Sequence, residues 1–299
     1  MKILISGASG LVGKYLTPTL IAKGHEVHKL VRKTPQSADE IQWDAEKGFS
    51  ESEQAKLENF DAVVHLAGDN VASENWSDEK KRKIKESRTV GTHVLVDALK
   101  ALKKPPKHFI SASAIGFYGN RGDEILTEES AQGTGFLPEV CAAWEDEIKR
   151  AEALPARVVY LRIGVVLAKD GGALEKMLTP FKFGVGGTIG SGKQYMSWIA
   201  LDDLIKMFHF VMENENLRGA FNAVAPSPVS NEEFTKTLGT VLNRPTVLPV
   251  PEFAIKMLFG EMGETLLLEG ARVVPQKLLD AGFDFDYLNL EAAMRHVLK

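Results

Sequence analysis

A single cysteine, Cys141, stands in 299 residues. An intramolecular disulfide is excluded, and so is a zinc site built from clustered thiolates. The seven histidines have no metal-ligand spacing, so no metal is expected. No apolar run approaches the ~20 residues that cross a bilayer. The opening MKILISGASG carries one lysine and an apolar stretch too short for a signal peptide. A cytoplasmic protein without a membrane partner is the expectation. Basic excess is missing too: a formal net charge of -4 offers no field to attract nucleic acid. Internal repeats, low-complexity tracts and long linkers are likewise absent.

What remains is an ordinary globular composition, 44% hydrophobic and 25% charged, which argues against disorder. The length suffices for one large or two modest domains. Short β-rich runs alternate with helical patterns. Strands are expected at Ile3–Ile5, Glu26–Val31, Asp61–Leu66, His108–Ser113 and Arg157–Ile163, with a short one near Phe221–Val224. Helices are expected from about Leu11 to Lys23, Asp78 to Lys100, Pro138 to Ala153 and Asp202 to Asn214. Ser77 before Asp78 and Glu79 makes a good N-cap region for the long helix. Such alternation predicts an α/β fold, a doubly wound, mostly parallel Rossmann-like sheet with helices on both faces. From about Leu167 the pattern loosens into a glycine-rich stretch. The prolines at 226, 228, 245, 249 and 251 suggest a small separate lobe. We therefore draw a dinucleotide-binding domain over 1–225, with 166–200 contributing to the substrate side, and a C-terminal lobe over 226–299.

The strongest chemical signal is GASGLVG, with Gly7, Gly10 and Gly13 directly after a strand and opening a helix. In that context Gly7 makes the tight turn, Gly10 admits a pyrophosphate, and Gly13 lets helix and strand pack closely. The amides of Ser9, Gly10, Leu11 and Val12 would face the phosphates at the positive helix end. An NAD site wants an acid about 20 residues beyond the last glycine. Arg32 and Lys33 stand there instead. They would attract a 2′-phosphate, and Arg32 could stack on adenine. NADPH is the expected cofactor.

These residues, with DAVVHLAG at 61–68, resemble the extended short-chain dehydrogenase/reductase superfamily. Longer blocks narrow the resemblance to its atypical "epimerase family" branch: NWSDEKKRKIKESRTVGT at 75–92, SASAIGFYG at 111–119, GFLPEVCAAWE at 135–145 and LRIGVVLAKDGGAL at 161–174. PFKFGVGGTIGSGKQYMSWIALDDL at 180–204 and the tail blocks APSPVSNEEF and LLLEGARVVPQKLLDAGF extend it over nearly the whole chain. The resemblance implies that Leu66, Ala67 and Gly68 line the adenosine side and that Ile163 and Gly164 flank the nicotinamide. It puts Arg88 at the usual asparagine position of the long helix, with Lys83 five residues earlier able to reach ribose or phosphate. For both cations the alternative is a solvated face in a KKRK run. The long helix is also the superfamily's usual dimer element, so a homodimer is possible.

A working member of the superfamily uses Ser, Tyr and Lys, the tyrosine moving the proton. None of the five tyrosines here is followed four residues later by lysine. Anchoring the helix on its acids puts Glu139 at the tyrosine position and Ala143 at the lysine position. Three readings stay open. Glu139 could be a substitute acid if burial raised its pKa, with Ser113 holding a carbonyl and Tyr118 or Cys141 nearby. Water could supply the proton. Or the fold could bind NADPH as a sensor or interaction protein and catalyse nothing, a class to which cell-division labels in the family point. The partner of the catalytic readings is a small carbonyl or sugar-type substrate. The loop from Lys182 to Trp198 is expected as a mobile lid or as a structured segment under the C-terminal lobe.

Overall fold

The computed structural model describes residues 1–299. The chain opens with β1 (Lys2–Ser6), α1 (Leu11–Ala22), β2 (Glu26–Val31), β3 (Glu40–Gln42), α2 (Glu51–Ala55) and β4 (Ala62–His65). It continues with α3 (Asp78–Lys100), β5 (His108–Ala114), β6 (Ile125–Leu126), α4 (Phe136–Lys149), β7 (Arg157–Ile163), β8 (Val165–Leu167) and α5 (Gly172–Lys182). Then come β9 (Tyr195–Met196), β10 (Trp198–Ala200), α6 (Leu201–Glu213), β11 (Gly219–Ala223), β12 (Val229–Ser230) and α7 (Asn231–Leu242). The C-terminal elements are α8 (Glu252–Gly263), β13 (Arg272–Val273), α9 (Gln276–Asp280) and α10 (Leu290–Val297).

Seven strands form one sheet in the order β11-β7-β5-β4-β1-β2-β3, and every pairing in it is parallel. From β1 the chain winds outward through β2 and β3, then restarts at β4 and winds the other way. The crevice at this reversal lies between the carboxyl ends of β1 and β4, where open α/β sheets bind ligands. Period-two side-chain alternation divides each strand between two cores. Ile3 and Ile5 of β1, Val64 of β4 and Val159 and Leu161 of β7 join α1 and α6 on one face. Leu4, Val63, Val158 and Tyr160 join Leu95 and Leu99 of α3 and Trp144 and Ile148 of α4 on the other. The Ser77 hydroxyl caps α3 as expected, accepting from the Lys80 amide at 3.1 Å.

The expected strands and helices are present; β3, α2, α5 and the short strands β6, β8, β9, β10, β12 and β13 lie outside that expectation. Phe234 and Leu238 of α7, Leu278 of α9 and Met294 of α10 belong to the same apolar cluster as Ile3 and Ile5. Apolar residues beyond 225 therefore share one continuous core with the sheet. The segment 182–198 is a structured loop fastened to this region. β12 pairs with β9, and bridges join Gly187 to Val247 and Ile189 to Val250. No helix is long and apolar enough to cross a membrane.

Candidate functional site

The turn after β1 is shaped by backbone crowding. Gly7 has φ +71°, and a side chain there would also lie 2.7 Å from the Leu66 carbonyl carbon at the end of β4. A Cβ on Gly13 would overlap the Gly7 carbonyl oxygen and the Ala8 backbone. Gly10 is different, since its Cβ would meet only Gly7 O at 3.3 Å. It is exposed, as is Ser9, and it heads α1 without a side-chain cap. The first amides of α1, including those of Leu11 and Val12, thus open on a cradle that a side chain at 10 would fill. That cradle fits a pyrophosphate.

The neighbouring strand ends are locked to it. Ser6 Oγ accepts from the Leu66 and Ala67 amides at 3.1 and 3.3 Å, so its own proton goes to His65 Nδ1 at 2.6 Å. His65 Nε2 then donates to Thr92 Oγ1 on α3 at 3.0 Å, and Trp144 Nε1 of α4 donates to the same oxygen. Burial lowers the His65 pKa to about 4, which keeps the ring neutral in this chain. Leu66, Ala67 and Gly68 are held at the crevice by these bonds. Arg32 and Lys33 follow β2 and are exposed. The parallel register runs to Ser6↔Leu30, so the two residues leave β2 at the same end of the sheet as the glycine turn.

Arg88 is half-buried beside the crevice. Its guanidinium lies 5.2 Å from the Trp144 ring centroid, donates to the Ile84 carbonyl at 2.9 Å and packs over Gly68. Lys83 corrects the expectation. It is exposed and pairs with Glu79 at 3.3 Å one turn away, because α3 turns Ile84 and Arg88 inward instead. The buried lysine is Lys80, which donates to Asp69 and, at 2.7 Å, to Ser73, fixing the segment after Gly68.

Next to the crevice is a cavity of about 610 Å³. Ala114–Gly116 after β5, Ile163–Val165 after β7, the start of α4, residues 194–197 and residues 264–271 wall it. Ile163 and Gly164 therefore stand where the two compartments meet.

The three expected catalytic residues do not. Ser113 is buried and donates to Glu145 Oε1 at 2.7 Å, so its proton is unavailable to a carbonyl. Tyr118 is fully buried, donates to Asn222 Oδ1 at 2.7 Å and accepts from Arg162 Nη1 at 2.9 Å. Burial raises its pKa, against the opposing pull of Arg162. Neither residue borders the cavity. Glu139 is exposed on the outer side of α4. The cavity side of that helix carries Leu137, Pro138, Val140 and Cys141. Leu137 and Cys141, spaced i, i+4, face the cavity, whereas Glu139 and Ala143 do not border it. Burial pushes the Cys141 thiol up to about 12, the signature of an inert thiol.

Beneath the cavity floor lies a buried ion pair. Arg162 of β7 meets Glu145 of α4 through two bonds of 2.8 Å, Nε to Oε1 and Nη2 to Oε2. This network, Lys80 and the C-terminal wall residue Glu269 lie outside the sequence expectation. A signal for the pair was present: charges at 145 and 162 interrupt otherwise apolar faces.

Residues 3–223 match the model of the NAD dependent epimerase/dehydratase family. The chain belongs to that family. Residues 250–297 match a second model, a domain of unknown function (DUF1731). The epimerase family protein MT2273 of Mycobacterium tuberculosis is 40% identical over 98% of this chain and 96% of its own length. The crystal structure of human epimerase family protein SDR39U1 (isoform 2) with NADPH superposes with a TM-score of 0.89 at 33% identity, over 99% of each chain. A nucleoside-diphosphate sugar epimerase structure from Corynebacterium glutamicum superposes at 0.82 and 36% identity, over 100% of this chain and 58% of that one.

Proposed function

We propose that this member of the epimerase family is an NADPH-dependent oxidoreductase of the cytoplasm that acts on a small carbonyl compound without the usual Tyr-x-x-x-Lys pair. The observation that carries the cofactor is the cradle at Gly10, open where Gly7 and Gly13 are closed by packing. The similarity to a human protein crystallised with NADPH supports it. Ser9 to Val12 would hold the pyrophosphate, Arg32 and Lys33 the 2′-phosphate, and Leu66 to Gly68 the adenosine side. Arg88 would neutralise charge along the crevice, with Ile163 and Gly164 beside the nicotinamide. Bound there, the cofactor supplies a hydride. The chain's own part is to hold it, to keep water from an apolar cavity floor, and to fix Gly68 and Ile163 through the Ser6–His65–Thr92–Trp144 and Glu145–Arg162 networks.

One observation favours a second reading, a non-catalytic NADPH-binding sensor. The cavity face of α4 carries Leu137 and Cys141, neither of which is an acid at neutral pH. Following NADPH absorbance with a panel of aldehydes, ketones and diones separates the two. NADPH oxidation with any of them supports the reductase; tight NADPH binding with no turnover across the panel favours the sensor.

A further inference from the structure

Six large apolar side chains stand in the open on two segments that the fold holds side by side. Phe183, Val247, Leu248, Phe253, Met257 and Leu258 are each more than half exposed, Val247 at 81% and Phe183 at 80%. Gly187 is bridged to Val247, and its backbone lies so close to the Leu248 carbonyl that a side chain there would overlap it. After Pro251, α8 buries Ile255 and turns Phe253 and Met257, one turn apart, to the outside. At these exposures the six present about 900 Å², above the ~300–600 Å² of the largest apolar patch on a typical monomer. One partner of a standard interface contributes about 800 Å². The charges beside the patch are also unspent. Lys182 and Arg244 are exposed with no acid within ion-pair distance, and Glu252, at the head of α8, has no cation within it. Lys256, one turn further on, is taken by Glu264 at 2.9 Å. The outer face of α3 is the opposite case. Its charges are paired within the chain, Arg82 with Glu86, Lys83 with Glu79 and Asp97 with Arg150, and none of its large apolar residues is exposed.

We propose that the chain forms a two-fold dimer through this face, α8 and residues 183–187 and 247–248 of one copy lying against the same elements of a second. An isologous interface must complement itself. Here an apolar centre of the required size is flanked by two unpaired cations and one unpaired carboxylate. A two-fold axis through the patch can set Glu252 of each copy against Lys182 or Arg244 of the other. A lipid surface fits less well, since only those two cations flank the patch and the net charge of -4 opposes anionic headgroups. α8 leads directly into the cavity wall at residues 264–271, so a second copy seated on α8 braces the element from which that wall continues. The inference is independent of whether the chain turns over a substrate.

The test is sedimentation equilibrium of the full chain across the micromolar range. The wild type should move from the 32.8 kDa chain mass to twice that value. Phe253→Glu/Met257→Glu should raise the dimer dissociation constant by about 100-fold or more, because each substitution enters the interface twice. Glu252→Lys should raise it by about 10-fold, and the triple reversal Glu252→Lys/Lys182→Glu/Arg244→Glu should recover the loss. Arg82→Glu on α3 should leave the dimer unchanged. All these side chains are exposed, so unchanged circular dichroism and thermal unfolding show that the variants are folded. A monomer at every concentration overturns the proposal. So does a dimer that is indifferent to Phe253→Glu/Met257→Glu, one dissolved by Arg82→Glu alone, or failure of the triple reversal to recover. Flotation of a monomeric wild type with phosphatidylserine vesicles gives the face to a membrane and overturns it as well.

Discussion

Replacing Glu145 by Gln removes a charge from a place where nothing can take over. Glu145 is 1% exposed and accepts three hydrogen bonds, from Ser113 Oγ at 2.7 Å and from Nε and Nη2 of Arg162 at 2.8 Å each. Burial lowers the Arg162 pKa and Glu145 raises it on balance; without Glu145 only the burial penalty and the Tyr118 bond remain, but an arginine keeps its proton in proteins, so the guanidinium is still a cation in the variant. A glutamine fits the space, yet its NH₂ would face an Arg162 donor. Breaking one partner of a buried pair costs about 3–5 kcal/mol. At about 2–3 °C per kcal/mol for a chain of this size, Tm should fall by about 10 °C. Urea unfolding followed by circular dichroism gives the free energy, and a thermal scan gives Tm. The double variant Glu145→Gln/Arg162→Met should recover most of the loss, since the uncompensated charge leaves with the arginine. A single-variant loss below about 1 kcal/mol would refute the reasoning, because it would mean that Arg162 reaches solvent.

Gly13→Ala should destabilise by at least about 1–3 kcal/mol, because its methyl overlaps the Gly7 carbonyl. Gly10→Ala, whose methyl meets only the Gly7 carbonyl at 3.3 Å, should cost less stability than Gly13→Ala and weaken NADPH; equal thermal losses for the two would contradict the separation of packing from phosphate cradle. His65 titrates at about 4 in the fold against an ordinary 6.5. Between those values the unfolded chain binds a proton that the folded one refuses. Stability should therefore fall by roughly 3 kcal/mol as pH drops from about 6.5 to 4. In His65→Asn that component of the pH profile should vanish, and parallel profiles would count against it. Cys141 should resist a disulfide reagent at pH 8 until urea is added, with fast labelling of the folded protein as the contrary result.

Much of the fold was legible because its signals are local. Strands such as DAVVH and RVVYLRI are short apolar runs, and the glycine turn ties the first of the series to a helix. Segments of three to five residues, β3 and α2, carry too little periodicity to be recognised. α5 was hidden by the glycines on either side of it. The cofactor half of the site was readable for the same reason, since the turn and the cations after β2 lie within one βαβ unit. The catalytic half was not. α4 was aligned on acids that face solvent, whereas the fold turns Leu137 and Cys141 inward and buries Glu145 against a strand residue 17 positions away. In the KKRK run a helix can direct only part of the charges to any one place, and it buries Lys80 while leaving Lys83 outside. Glu269 reaches the cavity from the last part of the chain, and no local pattern could connect it to residues at 114 or 164.

The most direct test of the cofactor assignment is calorimetric titration of the wild-type protein and Arg32→Glu with NADPH and with NADH. The wild type should bind NADPH more tightly than NADH. Arg32→Glu should lose about 10-fold or more for NADPH, through a lost charge-assisted contact and a new repulsion, with a much smaller change for NADH. Equal losses for both nucleotides, or no NADPH binding by the wild type, would contradict the assignment.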